Sequence, residues 1–179
     1  MIKLLCIDPS VQSLGWSLSN LYEDHGVLID VGEIKNTKGT WINRLDIFID
    51  TLHDLFVDSL DVQRSLTYHD TPSPLVLIEQ PCVYHTGRGA VASNAESIMK
   101  LSSFVFALRQ MFLDYTEVEV KLITPRIWKG QIKKPITWKR NLKYWAFKSD
   151  NHDIQDAVGL ADFWIRKHLK IKDLRNEII

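Results

Sequence analysis

Cysteine is scarce in this chain: only Cys6 and Cys82 occur, in or just after apolar runs. Two thiols cannot supply the disulfide framework of small secreted proteins, which points to a reducing, intracellular compartment with both thiols as small core residues. Long apolar runs are absent as well, and nothing approaches the roughly 20 residues of a membrane span. The start, Met1-Ile2-Lys3-Leu4-Leu5-Cys6-Ile7-Asp8, meets a charge too soon to read as a signal peptide. A soluble, cytoplasmic protein without membrane association is therefore expected. Internal repeats, low-complexity stretches and linkers are also missing. The 179 residues, 45% hydrophobic and 25% charged, suffice for one well-packed domain and leave no room for two. That domain is read as residues 1–170, with 171–179 as a C-terminal tail.

Net charge is absent too, since 22 basic side chains balance 22 acidic ones, but the two signs are segregated along the chain. Residues 1–80 carry 12 acidic and 5 basic side chains. Residues 121–148 carry Lys121, Arg126, Lys129, Lys133, Lys134, Lys139, Arg140, Lys143 and Lys148 with no Asp or Glu. This basic segment is either a phosphate-contacting surface or an ordinary solvated face.

Apolar patterning orders the elements. Residues 3–7 read as a buried strand, and 14–22 and 27–34, parted by Glu23-Asp24-His25-Gly26, as the next two strands of a meander. From Trp41, the residues Leu45, Phe48, Ile49, Leu52, Leu55 and Phe56 recur every three or four positions, an amphipathic helix with Arg44, Asp46, Asp50 and Asp54 outward. Leu75-Val76-Leu77-Ile78 suits a strand buried on both faces. Residues 91–112 predict a long helix with Ile98, Leu101, Val105, Leu108 and Phe112 on one face, capped by Ser93 or Asn94. Val118–Ile123 predicts a fifth strand, and Asn151 caps a last helix whose apolar face includes Ile154, Ala157, Ala161, Ile165 and Leu169.

Three places set acids where burial would be costly. Asp8 follows one apolar strand, Glu79 ends another, and Asp153 with Asp156 opens the last helix. Spacing of three places the helical pair on one face, and neighbouring first and fourth strands would project Asp8 and Glu79 to the same point. An all-oxygen set of this kind suits magnesium or manganese, and three or four carboxylates can hold two ions about 4 Å apart for phosphodiester cleavage. Each acid has a structural alternative: Asp8-Pro9-Ser10 as a turn, Asp153 or Asp156 as a first-turn acid favoured by the helix dipole. Glu79, followed by Gln80-Pro81, gains nothing structural from its place.

These residues carry a resemblance. Ile7-Asp8-Pro9-Ser10 with Gly15-Trp16-Ser17-Leu18 resembles the first motif of the RuvC family of Holliday junction resolvases, and Ile78-Glu79-Gln80 resembles the second. Asn94-Ala95-Glu96-Ser97 with Lys100-Leu101 is similar to the family's following helix, and His152-Asp153-Ile154-Gln155-Asp156-Ala157 to its last motif. The matches run in family order from residue 7 to about 165. They imply an RNase H-like α/β fold, a mixed five-stranded sheet flanked by helices. They also imply a site of Asp8, Glu79, Asp153 and Asp156 binding two Mg2+ ions, with Mn2+ as substitute and no small-molecule cofactor. The partner implied is branched DNA, four-way junctions above all, cut by a homodimer. Apolar Ile98, Leu101, Val105 and Leu108 serve the core of the long helix, so Ser102, Ser103 or Phe106 would face the partner copy. The family places a lysine near the scissile phosphate, for which Lys129 and Lys133 are the candidates. His152 is a further possible participant. Trp128-Lys129-Gly130-Gln131-Ile132-Lys133-Lys134-Pro135 departs from the cellular enzymes and looks closer to the phage-encoded branch, which would act in the host cytoplasm.

Around that site, Tyr84-His85-Thr86-Gly87-Arg88-Gly89 borders Glu79 and offers a stacking aromatic and an arginine to a distorted junction, or is an ordinary surface loop. Expected DNA contacts are Tyr84, Arg88, Lys100, Arg126, Lys129, Lys133, Lys134, Lys139 and Arg140. Of the six tryptophans, Trp16, Trp41, Trp145 and Trp164 read as core, and Trp128 and Trp138, flanked by lysines, as candidates at DNA. Two rival functions use the same fold. A sugar-kinase-like phosphotransferase needs a duplicated domain and a nucleotide-binding glycine motif, for which 179 residues leave no room. An inactive junction-binding module has no use for clustered negative charge beside phosphates.

Overall fold

A computed structural model describes residues 1–56, 72–81, 95–115, 118–130 and 132–178. Strands β1 (Ile2–Pro9), β2 (Ser13–Leu21) and β3 (His25–Lys35) form the antiparallel meander, followed by helix α1 (Trp41–Phe56) and strand β4 (Leu75–Glu79). Helix α2 (Ala95–Leu113), strand β5 (Glu119–Ile123), short helix α3 (Pro125–Trp128) and helices α4 (Lys134–Trp145) and α5 (His152–Trp164) come next. A π-helical turn, Ile165–Leu169, extends α5, and strand β6 (Asp173–Asn176) ends the series.

The sheet is mixed and has six strands in the order β5-β4-β1-β2-β3-β6, with β4 and β5 parallel to β1. The expected count of five is thus corrected. β6, from the segment read as a tail, pairs parallel to the outer edge of β3, His25 opposite Asp173 through Leu28 opposite Asn176. Only Leu174 within β6 packs on the core, beside Ile171 and Ile178, so period-two alternation is too short to announce a strand. An unpaired β3 edge, whose amides need partners, supplies the reason for pairing.

Both sheet faces are covered, which explains the unbroken apolar runs of β1 and β4. Successive side chains of a strand point to opposite faces. Leu4, Cys6, Leu75 and Leu77 enter one core with Trp145, Val158, Ala161 and Ile165 of α4 and α5. Leu5, Ile7, Val76 and Ile78 enter the other with Phe48, Leu52, Phe104 and Leu108 of α1 and α2. Arg44 of α1 departs from its expected outward place, since its Nε is buried. The two helices of the basic segment, α3 with 4 residues and α4 with 12, were not anticipated, although Pro125 and Pro135 in their first turns are the usual starting signals.

Helix α5 fixes the geometry of the site. It lies on β2, where the alternating small residues Gly15, Ser17 and Ser19 share one face, both serines being fully buried. A Cβ on Gly15 would stand 2.1 Å from the carbonyl carbon of Asp153, so only glycine admits the helix at this distance. Asn151 caps α5 as expected, its side-chain oxygen accepting from the amides of Asp153 at 2.9 Å and Ile154 at 3.1 Å.

Candidate active site

β1 and β4 run parallel with Ile7 opposite Ile78, so Asp8 and Glu79 follow side by side at the carboxyl ends of two central strands. Asp8 also pairs with Gly15, the residue against which α5 begins. That contact brings the start of α5, with Asp153 in its first turn and Asp156 in its second, to the same sheet edge. Ser13 at the start of β2 donates its hydroxyl to Asp153 Oδ2. Asp8 does not close the turn that follows it. Ser10 does, donating its Oγ to the Ser13 carbonyl at 2.9 Å and accepting the Ser13 amide at 3.0 Å.

Lys129, just past α3, reaches into the carboxylates. Its ammonium stands 2.8 Å from Asp156 Oδ2 and 3.1 Å from Glu79 Oε2, and Lys134 Nζ lies 3.5 Å from the same Asp156 oxygen. Trp128 donates its indole N–H to Glu79 Oε2 at 2.6 Å. The second oxygen of Asp156, Oδ1, is buried and has no hydrogen-bond partner among the described residues. Burial, and next the charge of Glu79, push the Asp8 carboxyl well above the ordinary range, with Lys129 opposing. Glu79 is also raised, chiefly by burial, against the opposing pull of Lys129 and Trp128. Burial alone would lower the Lys129 ammonium, but Glu79, Asp8 and Asp156 outweigh it and hold the proton more tightly than usual. Burial is thus the main cause at the two carboxyls, and the surrounding carboxylates the cause at Lys129.

The donor set fits a hard divalent cation, being all oxygen, partly desolvated and undercompensated. Among the described residues, no three His, Cys, Asp or Glu side chains stand in metal-ligating geometry. The Lys129 ammonium lies within ion-pair distance of both Glu79 and Asp156.

The other anticipated residues distribute as follows. Lys133 is exposed at the N-cap of α4, so of the two candidate lysines Lys129 is the one within the cluster. Arg126, Lys139 and Arg140 are exposed, on α3 and α4. Lys100 pairs with Glu96 one turn back on α2 and lines, with Arg44 and Ser97, a cavity of about 380 Å3 beside Ser10-Val11-Gln12. Cys82, Tyr84 and Arg88, and the capping candidates Ser93 and Asn94, lie outside the described residues. Trp128, considered at DNA, is a core residue, 6% exposed, that orients Glu79. Trp138 is half-buried and stacks on His152 with ring centroids 4.8 Å apart. Trp16, Trp145 and Trp164 are buried as expected, whereas Trp41 is only half-buried. Ser13 and Trp128 were not foreseen as partners of the carboxylates. The adjacency of Trp128 to Lys129 was the available signal, since a tryptophan entering the core there drags its neighbour inward.

No family model and no curated relative matches the sequence. Solved structures do. Thermus thermophilus RuvC in complex with Holliday junction substrate superposes with a TM-score of 0.63 at 14% identity, covering 94% of this chain and 98% of that one. The chain has the RNase H-like fold of the RuvC-type resolvases. The Fowlpox virus Holliday junction resolvase shares it, with a TM-score of 0.56 at 13% identity over 92% of this chain and 98% of that one. Against this RuvC-type frame the four carboxylates occupy the carboxyl ends of β1 and β4 and the first two turns of α5. Among the described residues no helix is long and apolar enough to cross a membrane.

Proposed function

We propose that this protein is a magnesium-dependent, structure-selective DNA endonuclease that resolves four-way junctions and acts as a homodimer. The observation that supports the reading is the gathering of four carboxylates from three places in the chain at one sheet edge, with an ammonium between two of them. A fold has little structural use for so much partly desolvated negative charge in one place. Both similar structures named above are Holliday junction resolvases, one of them bound to its junction.

Asp8, Glu79, Asp153 and Asp156 would hold two Mg2+ ions, or Mn2+ in their place. When bound, such ions supply a water activated for attack and charge stabilisation at the leaving 3′ oxygen. The chain's own residues then have defined parts. Ser13 holds the Asp153 carboxylate, and Trp128 holds that of Glu79, so neither rotates freely. Lys129 compensates Glu79 and Asp156 before loading, and its ammonium, once released from them, is close enough to the cluster to contact a phosphodiester oxygen. Exposed Arg126, Lys133, Lys134, Lys139 and Arg140 carry the strand's phosphates on the same side.

Exposed apolar side chains on α2 support the dimer. Met99 and Phe106 are 69% and 63% exposed, two turns apart, with exposed Ser102 and Ser103 between them. Purified protein offered matched linear, flap, three-way and four-way DNAs tests the reading. Paired incisions across the four-way junction, dependent on magnesium, are expected. Tight junction binding without incision in Mg2+ or Mn2+ would mean a binding module instead.

A further inference from the structure

A second feature lies along α5 from the carboxylates, in a cavity of about 240 Å3 between α3, α4 and α5. Ligand pockets usually span roughly 300–1,000 Å3. This one suits a piece the size of one nucleotide's base and part of its backbone. Its polar lining is uncommon for a gap between helices. Asp162 is 7% exposed and Asn141 fully buried, yet among the described residues the Oδ1 atom of each lacks a hydrogen-bond partner. Asn141 spends its amide N–H groups on Gln155, at 2.8 Å each to the backbone carbonyl and Oε1, which leaves only its acceptor oxygen free. Arg166 approaches Asp162 Oδ1 only to 3.8 Å, too far for a hydrogen bond. The cavity is lined by Arg140, Arg166 and Lys167, and by Lys129 at the end nearer the carboxylate cluster, four cations against one carboxylate.

Two buried acceptors call for a ligand with N–H donors, and the surplus of cations calls for an anion. Trp128 and Phe163 contribute apolar walls. Nucleotides with amino-bearing bases combine all three properties. We propose that this cavity is a nucleotide subsite, seating one nucleotide of the DNA with its phosphate on Arg140, Arg166 and Lys167 and an amino-bearing base on Asp162 and Asn141. Position agrees: Asp162 is six residues beyond Asp156, about 9 Å along the helix, and Lys129 lines the cavity as well as the carboxylate cluster. A strand with its scissile phosphate at the cluster would thus carry a neighbouring nucleotide past this opening, where a base turned out of its stack can enter. Helix packing leaves the space open without slack, since a Cβ on Gly159 would come within 2.7 Å of Thr137 and 2.9 Å of Trp128. Burial lifts the Asp162 carboxyl to about 6 against the pull of Arg166 and Arg140, as an unsolvated acceptor awaiting a donor should behave.

The identity of the nucleotide's source rests on the nuclease reading, whereas binding does not. Full-length protein is titrated to millimolar concentrations with dAMP, dCMP, dGMP, dTMP and inorganic phosphate, followed by tryptophan fluorescence and melting temperature. The three amino-bearing nucleotides should bind about tenfold tighter than dTMP or phosphate, the worth of one satisfied buried acceptor. Asp162→Asn should erase that preference, and Arg140→Ala with Arg166→Ala should weaken every nucleotide about tenfold or more. Equal affinity for all five probes, no binding, or indifference to both variants overturns the subsite. A junction library randomised around the cut separates the two readings. If junctions are cut but the base preference is unchanged in Asp162→Asn, the subsite fails alone. If no DNA is cut while nucleotides bind as stated, the nuclease reading fails alone.

Discussion

Asp8 is the residue whose surroundings are most at odds with its charge, raised by burial and by Glu79 and left without the turn-closing role that a structural aspartate would have. Asp8→Asn keeps the shape and removes one of the mutually repelling charges. It should abolish cleavage in Mg2+, preserve junction affinity in Ca2+ and leave the metal-free melting temperature equal or higher. A loss of about 1 kcal/mol or more with cleavage intact would make Asp8 a structural residue after all. The same physics sets a pH dependence. Asp8, Glu79 and Asp162 all have folded values above their unfolded ones, so their contributions to stability are fully present below the unfolded values and are lost as pH rises through the raised ones. For Asp162 the window runs from 3.8 to about 6. Melting curves of Asp162→Asn and the parent protein should therefore converge near the acid end and separate in the variant's favour by neutral pH. Parallel curves across that range would show that Asp162 titrates normally.

The element that positions the site is α5, whose start approaches β2 closely over Gly15. Gly15→Ala would force a methyl group into the Asp153 backbone, and overpacking of this kind costs about 1–3 kcal/mol. Because the displaced turn carries Asp153, activity should fall far more than stability, as melting and single-turnover cleavage on one preparation would reveal. Unchanged cleavage would mean that α5 can slide without disturbing the site. Helix α4 and its approach concentrate exposed positive charge. Neutralising Lys133 and Lys134 together should weaken binding to linear and branched DNA alike and reduce the salt slope by up to about two units. An unaltered slope would assign those lysines to a solvated face.

At the scale of the whole molecule, the two sheet faces are unequal. One is covered by α3, α4 and α5, which carry the cations and the proposed nucleotide subsite. The other is covered by α1 and α2, whose outer surfaces leave Ile42, Ile47, Met99 and Phe106 exposed. If α2 is the dimer seam, Phe106→Lys should yield monomers by sedimentation at micromolar concentration. The monomers should keep a normal fold by circular dichroism and lose paired incision. A parent protein that sediments as a monomer and still cuts both strands at once would remove the dimer from the mechanism.

Apolar period and punctuation alone determined the strand meander, the doubly buried β1 and β4, the two long amphipathic helices and the Asn151 cap, because these depend on near neighbours in the chain. Asp8 and Glu79 stood out for the same reason, each at the end of an apolar run where local pattern and charge conflict, and Asp153 with Asp156 by their spacing of three at the start of the last helix. What tertiary structure decided depends on distances between remote segments. Lys129 rather than Lys133 enters the cluster because Trp128 is pulled into the core beneath it. Gly15 matters because a helix that begins 137 residues later lands on it. The sixth strand forms because β3 presents an unpaired edge, and four residues with one core-facing leucine carry too little alternation to declare themselves. Sequence records what each segment prefers, and only packing decides which segments meet.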